Sequence, residues 1–529
     1  MSRQSLSEGL GPRIVIIGTG VGGLSFAIGL KRRFGYDNFT IFEKAEAVGG
    51  TWRDNIYPGC SSDIPVQFYS LSTDPNPDWS STHPFHDEIQ AYWEQLSEKH
   101  SITPHIVFGR KVVKAVWDPM SYLYHITTED VASGQQSTTS AEIVISAIGF
   151  LEVPRLPDIP GISDFRGTLF HSARWSNTSL DGKRVAVIGN GASATQFLPI
   201  ISKKPNIQVM QFCRTPNWLF PPIRMYHSRL HKLACRYLPL YMRIIRFLSY
   251  SVSDISYFLV FSNSVTRRPM AKFLRSYILK NSPKKYHENL VPNYGKSQLG
   301  CKRAIFDSDY LPALHQSNVE LNWSKIDSIA EDGIITRQGE HLRFDTIILA
   351  TGFSADKYPL IIYGKNGQTI QEYFNSQGGP TAYLGTTVPG FPNFYVIGGP
   401  NTATGHTSVI FTEEVQVNYI IQLIKPILEG RISSIDVTAR ATDRYNAKIQ
   451  ARLARSVFMG CTSWYRAEGS GKVTSMFPGA SALFWWWLRR PIWEDYDLVG
   501  GDGRAIKRSR SMGTLTLGLA LAVAILLVV

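Results

Sequence analysis

The chain has little of what metal or thiol chemistry requires. Its five cysteines, Cys60, Cys213, Cys235, Cys301 and Cys461, are scattered, with no CxxC pair and no ligand cluster at zinc spacing. A dithiol reductase and a metal site are therefore not expected, and a reduced compartment that faces the cytosol is favoured. Charged residues make up 18% of the 529 residues against 43% for hydrophobic ones, which predicts a globular chain rather than a disordered one.

Acidic residues are almost missing from one segment. Residues 224–285 contain 13 lysines and arginines but one acidic residue, Asp254, so this segment carries nearly all of the net charge of +13. A chain that was basic throughout would suggest nucleic acid as a partner. A single basic segment indicates a local role instead, and no nucleic acid is expected.

The two ends of the sequence differ in hydrophobic content. No signal-peptide pattern precedes the first short apolar run at 13–17. Residues 512–529 are 18 uncharged, mostly apolar residues, and a helix of this length spans roughly 27 Å, enough for a thin bilayer such as the endoplasmic reticulum. The basic flank at 507–510 places the body on the cytosolic side. We expect a membrane anchor here, with a helix packed on the protein as the alternative.

The first glycine-rich turn indicates a dinucleotide. An apolar run, 14–17, predicts a buried parallel strand, and Gly18, Gly20 and Gly23 follow it in GxGxxG spacing. The glycines allow a tight turn, close approach of a pyrophosphate and close packing of the next helix, whose N-terminus faces the phosphates. Glu43 ends the next predicted strand, 20 residues after Gly23, where a carboxylate binds ribose hydroxyls.

A second turn of the same kind has a different ending. Gly189, Gly191 and Ala194 follow another apolar run, and Ala suffices at the third position because only close helix packing is needed there. The next predicted strand, 207–212, leads to Arg214 rather than to an acid. Because a guanidinium can pair with a 2′-phosphate, NADP is favoured over NAD.

The stretch between the two turns carries a family resemblance. Residues 165–175 read FRGTLFHSARW, which has the form FxGxxxHxxxW. It resembles the signature of the Baeyer–Villiger monooxygenases, class B flavoenzymes that insert one atom of O2 beside a ketone. Trp175 favours this group over related N- and S-oxygenating enzymes, which have Phe or Tyr there, while Ser176 departs from the family's usual Pro or Asp. Residues 49–63 also match the family pattern GGxWxxxxYPGxxxD.

The resemblance implies FAD and NADPH as cofactors and, together with the two turns, a set of binding residues. The residues expected at FAD are Gly18, Gly20, Gly23, Glu43, Thr51, Trp52, Asp54, Asp63, Tyr69 and Val112. The residues expected at NADP are Ser61, Ser62, Gly189, Gly191, Ser193, Ala194, Arg214, Thr215, Lys302 and Arg303. The hinge between the two nucleotide domains is expected at Phe165, Gly167, His171 and Trp175.

Arg303 and Asp63 are the expected catalytic residues. By the resemblance, 299–303 is the active-site loop, with Lys302 at the 2′-phosphate and Arg303 over the flavin beside the nicotinamide. A guanidinium is always charged and has a rigid fork of donors, so it can stabilise negative charge on oxygen. Asp63 would orient it, whereas His171 would move or hydrogen-bond as the domains rotate and Trp175 would brace the linker.

The predicted fold is α/β, with two Rossmann-like domains, a helical insert and a C-terminal transmembrane helix. The expected order is FAD domain 1–152, NADP domain 153–225, basic insert 226–288, NADP domain 289–343, FAD domain 344–500, basic linker 501–511 and anchor 512–529.

The insert should be helical, with Pro239 kinking or splitting its first helix. A basic side is predicted within about 100° of helix circumference, formed by Arg229, Lys232, Arg236, Arg243 and Arg246. A lid with a solvated basic side is one interpretation. The other is a side that rests on anionic lipid headgroups.

The resemblance implies oxygen insertion beside a ketone to give an ester or lactone. The anchor, the insert and the aromatic run 484–487 suit a bulky lipophilic ketone, such as a terpenoid, steroid or polyketide intermediate. Two alternatives stay open. One is a related flavin monooxygenase that oxygenates N or S, hydroxylates or epoxidises; the other is a membrane-tethered flavoprotein that oxygenates nothing.

Overall fold

The computed structural model describes residues 11–262, 264–354, 357–461, 463, 465–467 and 469–508. The predicted anchor at 512–529 and part of the predicted linker lie outside the described residues. The N-terminal ten residues also lie outside them.

The strands, in chain order, are β1 (Ile14–Ile17), β2 (Phe39–Phe42), β3 (Ile106–Val107), β4 (Arg110–Asp118), β5 (Leu123–Asp130), β6 (Gln136–Ala141), β7 (Ile143–Ser146), β8 (Thr168–His171), β9 (Arg184–Ile188), β10 (Gln208–Phe212), β11 (Leu219–Phe220), β12 (Ile305–Phe306), β13 (Val319–Asn322), β14 (Ile326–Ala330), β15 (Gly333–Thr336), β16 (His341–Arg343), β17 (Thr346–Leu349), β18 (Ile361–Tyr363), β19 (Phe394–Val396), β20 (Ser434–Val437) and β21 (Tyr496–Val499).

The α-helices, in chain order, are α1 (Val21–Phe34), α2 (Thr51–Asp54), α3 (His86–Lys99), α4 (Ala192–Ile201), α5 (Arg229–Tyr237), α6 (Tyr241–Ser256), α7 (Ser264–Asn281), α8 (His287–Leu290), α9 (Tyr310–Ala313), α10 (Ile370–Ser376), α11 (Val409–Leu428), α12 (Ala439–Ala454), α13 (Ser481–Leu488) and α14 (Gly503–Arg508). A π-helical turn, Tyr257–Ser262, continues α6.

Two parallel five-stranded sheets form the framework, which confirms the predicted α/β fold. The first has the order β19-β7-β1-β2-β3 and the second the order β13-β10-β9-β17-β8. Strands β1 and β7 are buried along their whole length, as expected for apolar runs covered on both faces. The middle strand of each sheet, β1 or β9, leads into a glycine-rich turn and a helix, so both turns lie at a carboxyl edge where parallel sheets bind ligands.

The chain returns to the first sheet later than expected, since the second part of the FAD domain was predicted to begin at residue 344. Strand β17 lies between β9 and β8 in the second sheet. It was predicted to lead the FAD domain back, but its apolar sequence TIIL specifies a buried strand without specifying which sheet receives it. The chain rejoins the first sheet through β19, in the stretch predicted to be the last strand of that domain.

The insert consists of α5, α6, the π-helical turn and α7. As predicted, Pro239 lies where the first helix is split, between the end of α5 at Tyr237 and the start of α6 at Tyr241. The prediction for Arg246 was wrong, because its side chain is 6% exposed and points into the protein instead of joining a basic outer side. Helical spacing fixes which residues share a side, but not which side packs inward.

Candidate active site

The first glycine turn presents an uncapped helix N-terminus. Gly18 has φ +98°, and a β-carbon there would lie 2.9 Å from the carbonyl oxygen of Ala147, so only glycine fits without strain. Gly20 precedes α1 and no side chain caps that helix. The first N–H groups of α1 are therefore free to bind an anion such as a pyrophosphate.

Glu43 lies directly beside this turn, as predicted. Its Oε2 accepts hydrogen bonds from the backbone N–H (2.9 Å) and hydroxyl (2.7 Å) of Thr19, and its Oε1 accepts from Arg53 Nη1 (3.0 Å). Each carboxylate oxygen has more than one acceptor position. A ribose hydroxyl would share this carboxylate with the protein's own donors.

The second half of the predicted FAD site surrounds α2. Trp52 is buried and its Nε1 donates to the hydroxyl of Tyr69 at 3.2 Å, while Asp54 accepts from Arg53 Nε at 2.8 Å. Thr51 is the first residue of α2. Val112 is a buried core residue of β4 that packs with residues of the first sheet, so the structure gives it a packing role.

The residues fit a bound dinucleotide at this edge. A β-carbon on Gly50 would lie 2.8 Å from the α-carbon of Gly20, so the two glycine turns approach each other through backbone alone. Glu413, the fifth residue of α11, lies beside the start of α1 and the segment that follows β19: β-carbons on Gly22 and Gly398 would be 3.6 and 3.7 Å from its oxygens. Among the described residues its Oε2 is buried without a hydrogen-bond partner.

The second glycine turn repeats this arrangement in the other sheet. Gly189 has φ +113°, and a β-carbon there would lie 2.4 Å from the carbonyl oxygen of Ala350. Gly191 precedes α4 without a side-chain cap, and Ala194 is fully buried on the inner side of that helix. The side chain of Ser193 interacts with that of Tyr57. This N-terminus is the second place where the chain can receive phosphate.

Two cations meet at the end of β10. Lys302 Nζ donates to Thr215 Oγ1 at 2.6 Å, which brings the predicted active-site loop to the predicted NADP site. Burial, together with the positive charge of Arg214, lowers the pKa of Lys302. Two cations that repel each other in this way suit an anionic ligand such as a 2′-phosphate.

Arg303 and Asp63 form a two-point ion pair. Arg303 Nε donates to Asp63 Oδ2 at 2.8 Å, and Nη2 donates to Oδ1 at 2.6 Å. The charge of Asp63 raises the pKa of Arg303 further, so the guanidinium stays charged. The Arg303 side chain is 44% exposed. The pair therefore provides an oriented cation with open space around it, which can stabilise negative charge on oxygen.

Besides Asp63, two buried and uncharged tyrosines lie near Arg303. Burial raises the pKa of both Tyr69 and Tyr465, and Arg303 is close enough to oppose this shift at each of them. Trp464, the neighbour of Tyr465 in the sequence, lies outside the described residues. The aromatic run on α13 packs mainly inward: Phe484 is fully buried and Trp487 contacts Phe477.

A disulfide holds the active-site loop. Cys301, two residues before Arg303, is bonded to Cys461. Disulfides are rare in proteins that face the cytosol, so this bond counts against the reduced compartment predicted from the scattered cysteines. The distance of 160 residues between the two thiols gave no indication of a pairing.

Of the four predicted hinge residues, Trp175 contacts both halves. Trp175 packs against Phe197 of α4 at 5.2 Å and lies 6.5 Å from Tyr57 of the first domain, which agrees with a bracing role. His171 is buried, and its Nδ1 accepts from the backbone N–H of Ala173. Burial lowers the pKa of His171 to about 4, so it is neutral at pH 7. Phe165 and Gly167 lie in contact just before β8.

Gln196 was missed by the sequence analysis. Its Oε1 accepts from the hydroxyl of Tyr57 at 2.9 Å, and its Nε2 donates to the carbonyl oxygen of Ser61 at 3.2 Å. Ser61 thus faces the second domain as expected, whereas the hydroxyl of Ser62 is turned back to Ile64 O at 2.8 Å. A glutamine in the middle of a helix carries no motif, so no sequence signal indicated this contact.

Comparison with known proteins gives a consistent result. The flavin-binding monooxygenase-like family profile matches residues 11–363. A Baeyer–Villiger monooxygenase of Streptomyces coelicolor is 35% identical over 502 residues, covering 92% of each chain. The FAD-binding monooxygenase ktnD of Aspergillus niger is 32% identical over 539 residues, 96% of this chain and 87% of that protein. The structure of an oxidized steroid monooxygenase bound to NADP superposes with a TM-score of 0.80 at 26% identity, covering 93% of this chain and 100% of that one.

Glu413 should make the stability of the apoprotein depend on pH. Burial raises its pKa from the ordinary 4.5 to about 8. Between these values the unfolded chain releases the proton and the folded chain keeps it, so stability falls as pH rises. Glu413→Gln cannot ionise, and its melting temperature relative to wild type should increase from pH 5 to pH 8. Glu340→Gln, at an exposed position, is the control. If the melting temperatures of wild type and Glu413→Gln change in parallel with pH, Glu413 does not have a raised pKa in the folded protein.

The disulfide can be tested by counting free thiols. Thiol titration of the denatured protein without reductant should give three thiols, those of Cys60, Cys213 and Cys235, and five after reduction. Reduction should also destabilise the fold by about 2–4 kcal/mol, because it frees a long loop in the unfolded chain. Cys461→Ser should be destabilised to the same extent and should not respond to reductant. Five thiols before reduction would show that the bond is not formed.

Proposed function

The chain belongs to the flavin-binding monooxygenase-like family, and on this basis we propose a Baeyer–Villiger monooxygenase whose chemistry is centred on Arg303. The enzyme is an oxidoreductase that uses FAD, NADPH and O2 and converts a ketone into an ester or lactone. The observation that carries the assignment to this site is the two-point pairing of Arg303 with Asp63. It fixes a permanent cation between the two nucleotide sites, because Lys302 next to it reaches Thr215.

Bound FAD would supply the redox chemistry, taking a hydride from NADPH and activating O2. The protein binds and orients the two cofactors and stabilises the negative charge that develops on oxygen. The N-terminus of α1, with Glu43 beside it, receives the pyrophosphate and ribose of FAD. The N-terminus of α4 receives the pyrophosphate of NADPH, and Arg214 with Lys302 holds its 2′-phosphate.

Arg303 stabilises the negative charge that develops on oxygen when a ketone carbonyl is attacked. Its charge does not depend on pH in any working range, because the neighbouring Asp63 raises an already high pKa. Asp63 also fixes the guanidinium plane, so its free donors point in one direction. Tyr69 and Tyr465 stay protonated and add no negative charge, since burial raises the pKa of each.

We further propose that the ketone is bulky and lipophilic, such as a terpenoid, steroid or polyketide intermediate. The likeness to a steroid monooxygenase supports this proposal. So does the apolar composition of 512–529, since an anchor formed by this segment would hold the enzyme at a membrane, where such compounds accumulate.

Replacing Arg303 should impair oxygenation of the ketone far more than reduction of the flavin by NADPH. In Arg303→Ala, NADPH should still reduce the flavin within a few-fold of the wild-type rate, while formation of oxygenated product should fall by about 10²–10³, the usual cost of losing one oxyanion donor. Arg303→Lys keeps the charge but not the two-point pairing with Asp63, so it should recover only part of the rate. Arg343→Ala, an exposed arginine elsewhere, is the control. Stopped-flow absorbance and product analysis measure the two steps, and full oxygenation by Arg303→Ala would refute the assignment.

For localisation we propose a single-pass anchor formed by 512–529 in the endoplasmic reticulum membrane, with the catalytic body in the cytosol. The basic residues Lys507, Arg508 and Arg510 support this orientation. Deleting 512–529 should move the protein from the carbonate-washed membrane fraction to the supernatant. Protease added to intact microsomes should digest the body of the full chain. Protection from protease would place the body in the lumen, the compartment that the Cys301–Cys461 disulfide favours.

A further inference from the structure

Helix α6 of the insert is amphipathic in the inverted sense. Its buried residues, Arg246, Tyr250 and Asp254, follow one another at intervals of four and line one side of the helix. Two of the three are charged. The side that faces the protein is therefore polar, the reverse of the usual pattern for a surface helix.

Two anchoring contacts fix this orientation. Arg246 Nη1 donates to the carbonyl oxygen of Ser70 at 2.8 Å, and Nη2 donates to Glu414 Oε2 at 3.1 Å. Asp254 Oδ1 accepts from His406 Nε2 at 3.2 Å and from the backbone N–H of Ser481 at 2.6 Å. Rotating the helix would leave these buried charges unpaired, which is strongly unfavourable.

The opposite side of α6 is apolar and turned outward. Ile244, Leu248, Val252 and Ile255 share this side by their spacing, and Val252 is 70% exposed. On α5, Leu230 (78% exposed), Leu233 and Tyr237 repeat the pattern. We call the exposed hydrophobic side chains of α5 and α6 and of the segments next to them the apolar surface of the insert; it comprises Leu230, Leu233, Tyr237, Leu238, Leu240, Ile244, Leu248, Val252, Ile255, Phe258 and Leu259.

Within residues 224–285, the exposed charged side chains are all positive. Arg229, Arg243, Arg268, Lys272 and Arg275 are exposed. Asp254, the single acidic residue of 224–285, is buried on the other side of α6. Arg236 is the exception, since it pairs with Asp78 at 2.5 Å. An apolar surface with a basic border complements an anionic lipid bilayer, whose acyl layer takes the apolar side chains while its headgroups take the cations.

We propose that the insert binds the surface of an anionic membrane, with the apolar surface of α5 and α6 in the outer acyl layer. Among the described residues, the stretch Tyr241–Ser262 is the one helical segment long and apolar enough to span a membrane. It lies in the plane of the bilayer instead, because Arg246 and Asp254 hold its other side to the protein. Because Arg246 faces the protein, α6 turns apolar side chains outward. The proposed contact with lipid is therefore not only electrostatic, since these side chains also enter the acyl layer.

Other occupants fit the surface less well. A symmetric dimer through this surface would place two basic borders against each other, since a two-fold contact pairs each patch with its own copy. The segment 512–529 of the same chain is also apolar, but it follows Lys507, Arg508 and Arg510, which the same basic border would repel. The experiment described next distinguishes both of these occupants from a lipid bilayer.

An environment-sensitive fluorophore tests the proposal in the full chain. It is attached to Val252→Cys or, as the matched control, to Met120→Cys, which replaces another apolar residue that is 87% exposed and far from the insert in the sequence. The three free cysteines are buried and do not compete for the label. Emission is measured in buffer, with phosphatidylcholine vesicles and with vesicles that also contain phosphatidylserine, each with and without brominated acyl chains.

The expected result is a blue shift at position 252 with phosphatidylserine vesicles and quenching by brominated chains, with no change at position 120. Adding Leu248→Asp should abolish the shift. An unshifted label at 252 on protein that floats with the vesicles would overturn the proposal, because binding would then run through another segment. A blue shift without vesicles would also overturn the proposal. If that shift grows with protein concentration, a second copy covers the surface. If it does not, another segment of the same chain covers it. The readout is independent of oxygenation.

Discussion

The ion pair between Arg303 and Asp63 is the contact on which the arrangement of the site depends. The two residues are 240 positions apart and belong to different nucleotide domains. Their pairing brings the loop after the insert onto the segment that lies along the predicted flavin site. Lys302, the neighbour of Arg303, is held at Thr215 on the NADP side. One short loop therefore contacts both halves, and the Cys301–Cys461 bond fixes its start. A cation held this way costs no reorganisation when charge develops next to it.

A second set of buried polar contacts joins the insert to the body. Arg246 reaches Glu414 on α11, and Asp254 reaches His406 and Ser481. Helix α11 also carries Glu413, the buried acid beside the first glycine turn. The insert and the cofactor site thus share a helix. The same contacts turn the apolar side of α6 outward.

Sequence reasoning identified most of the framework, because its signals are local. The glycine spacing after Ile17 and after Ile188 specifies strand, turn and helix, and both turns lie where they were predicted. Arg303 and Asp63 were predicted from resemblance alone, since nothing in their spacing links them. The failures all concern long-range choices. Strand β17 could enter either sheet, Arg246 could face in or out, and Cys301 could not be matched with Cys461 without a structure. Glu413 had no sequence signal, because its environment is made by Gly22 and Gly398 from two other elements.

The most direct test of the central claim is the fate of molecular oxygen. The enzyme, with FAD and NADPH, is incubated under ¹⁸O₂ with lipophilic ketones, amines and sulfides, and the products are analysed by mass spectrometry. The account predicts an ester or lactone from at least one ketone, carrying one ¹⁸O atom, with one NADPH consumed per product. Label found only in amine or sulfide oxides, or NADPH consumption that yields hydrogen peroxide and no oxygenated product, would contradict it.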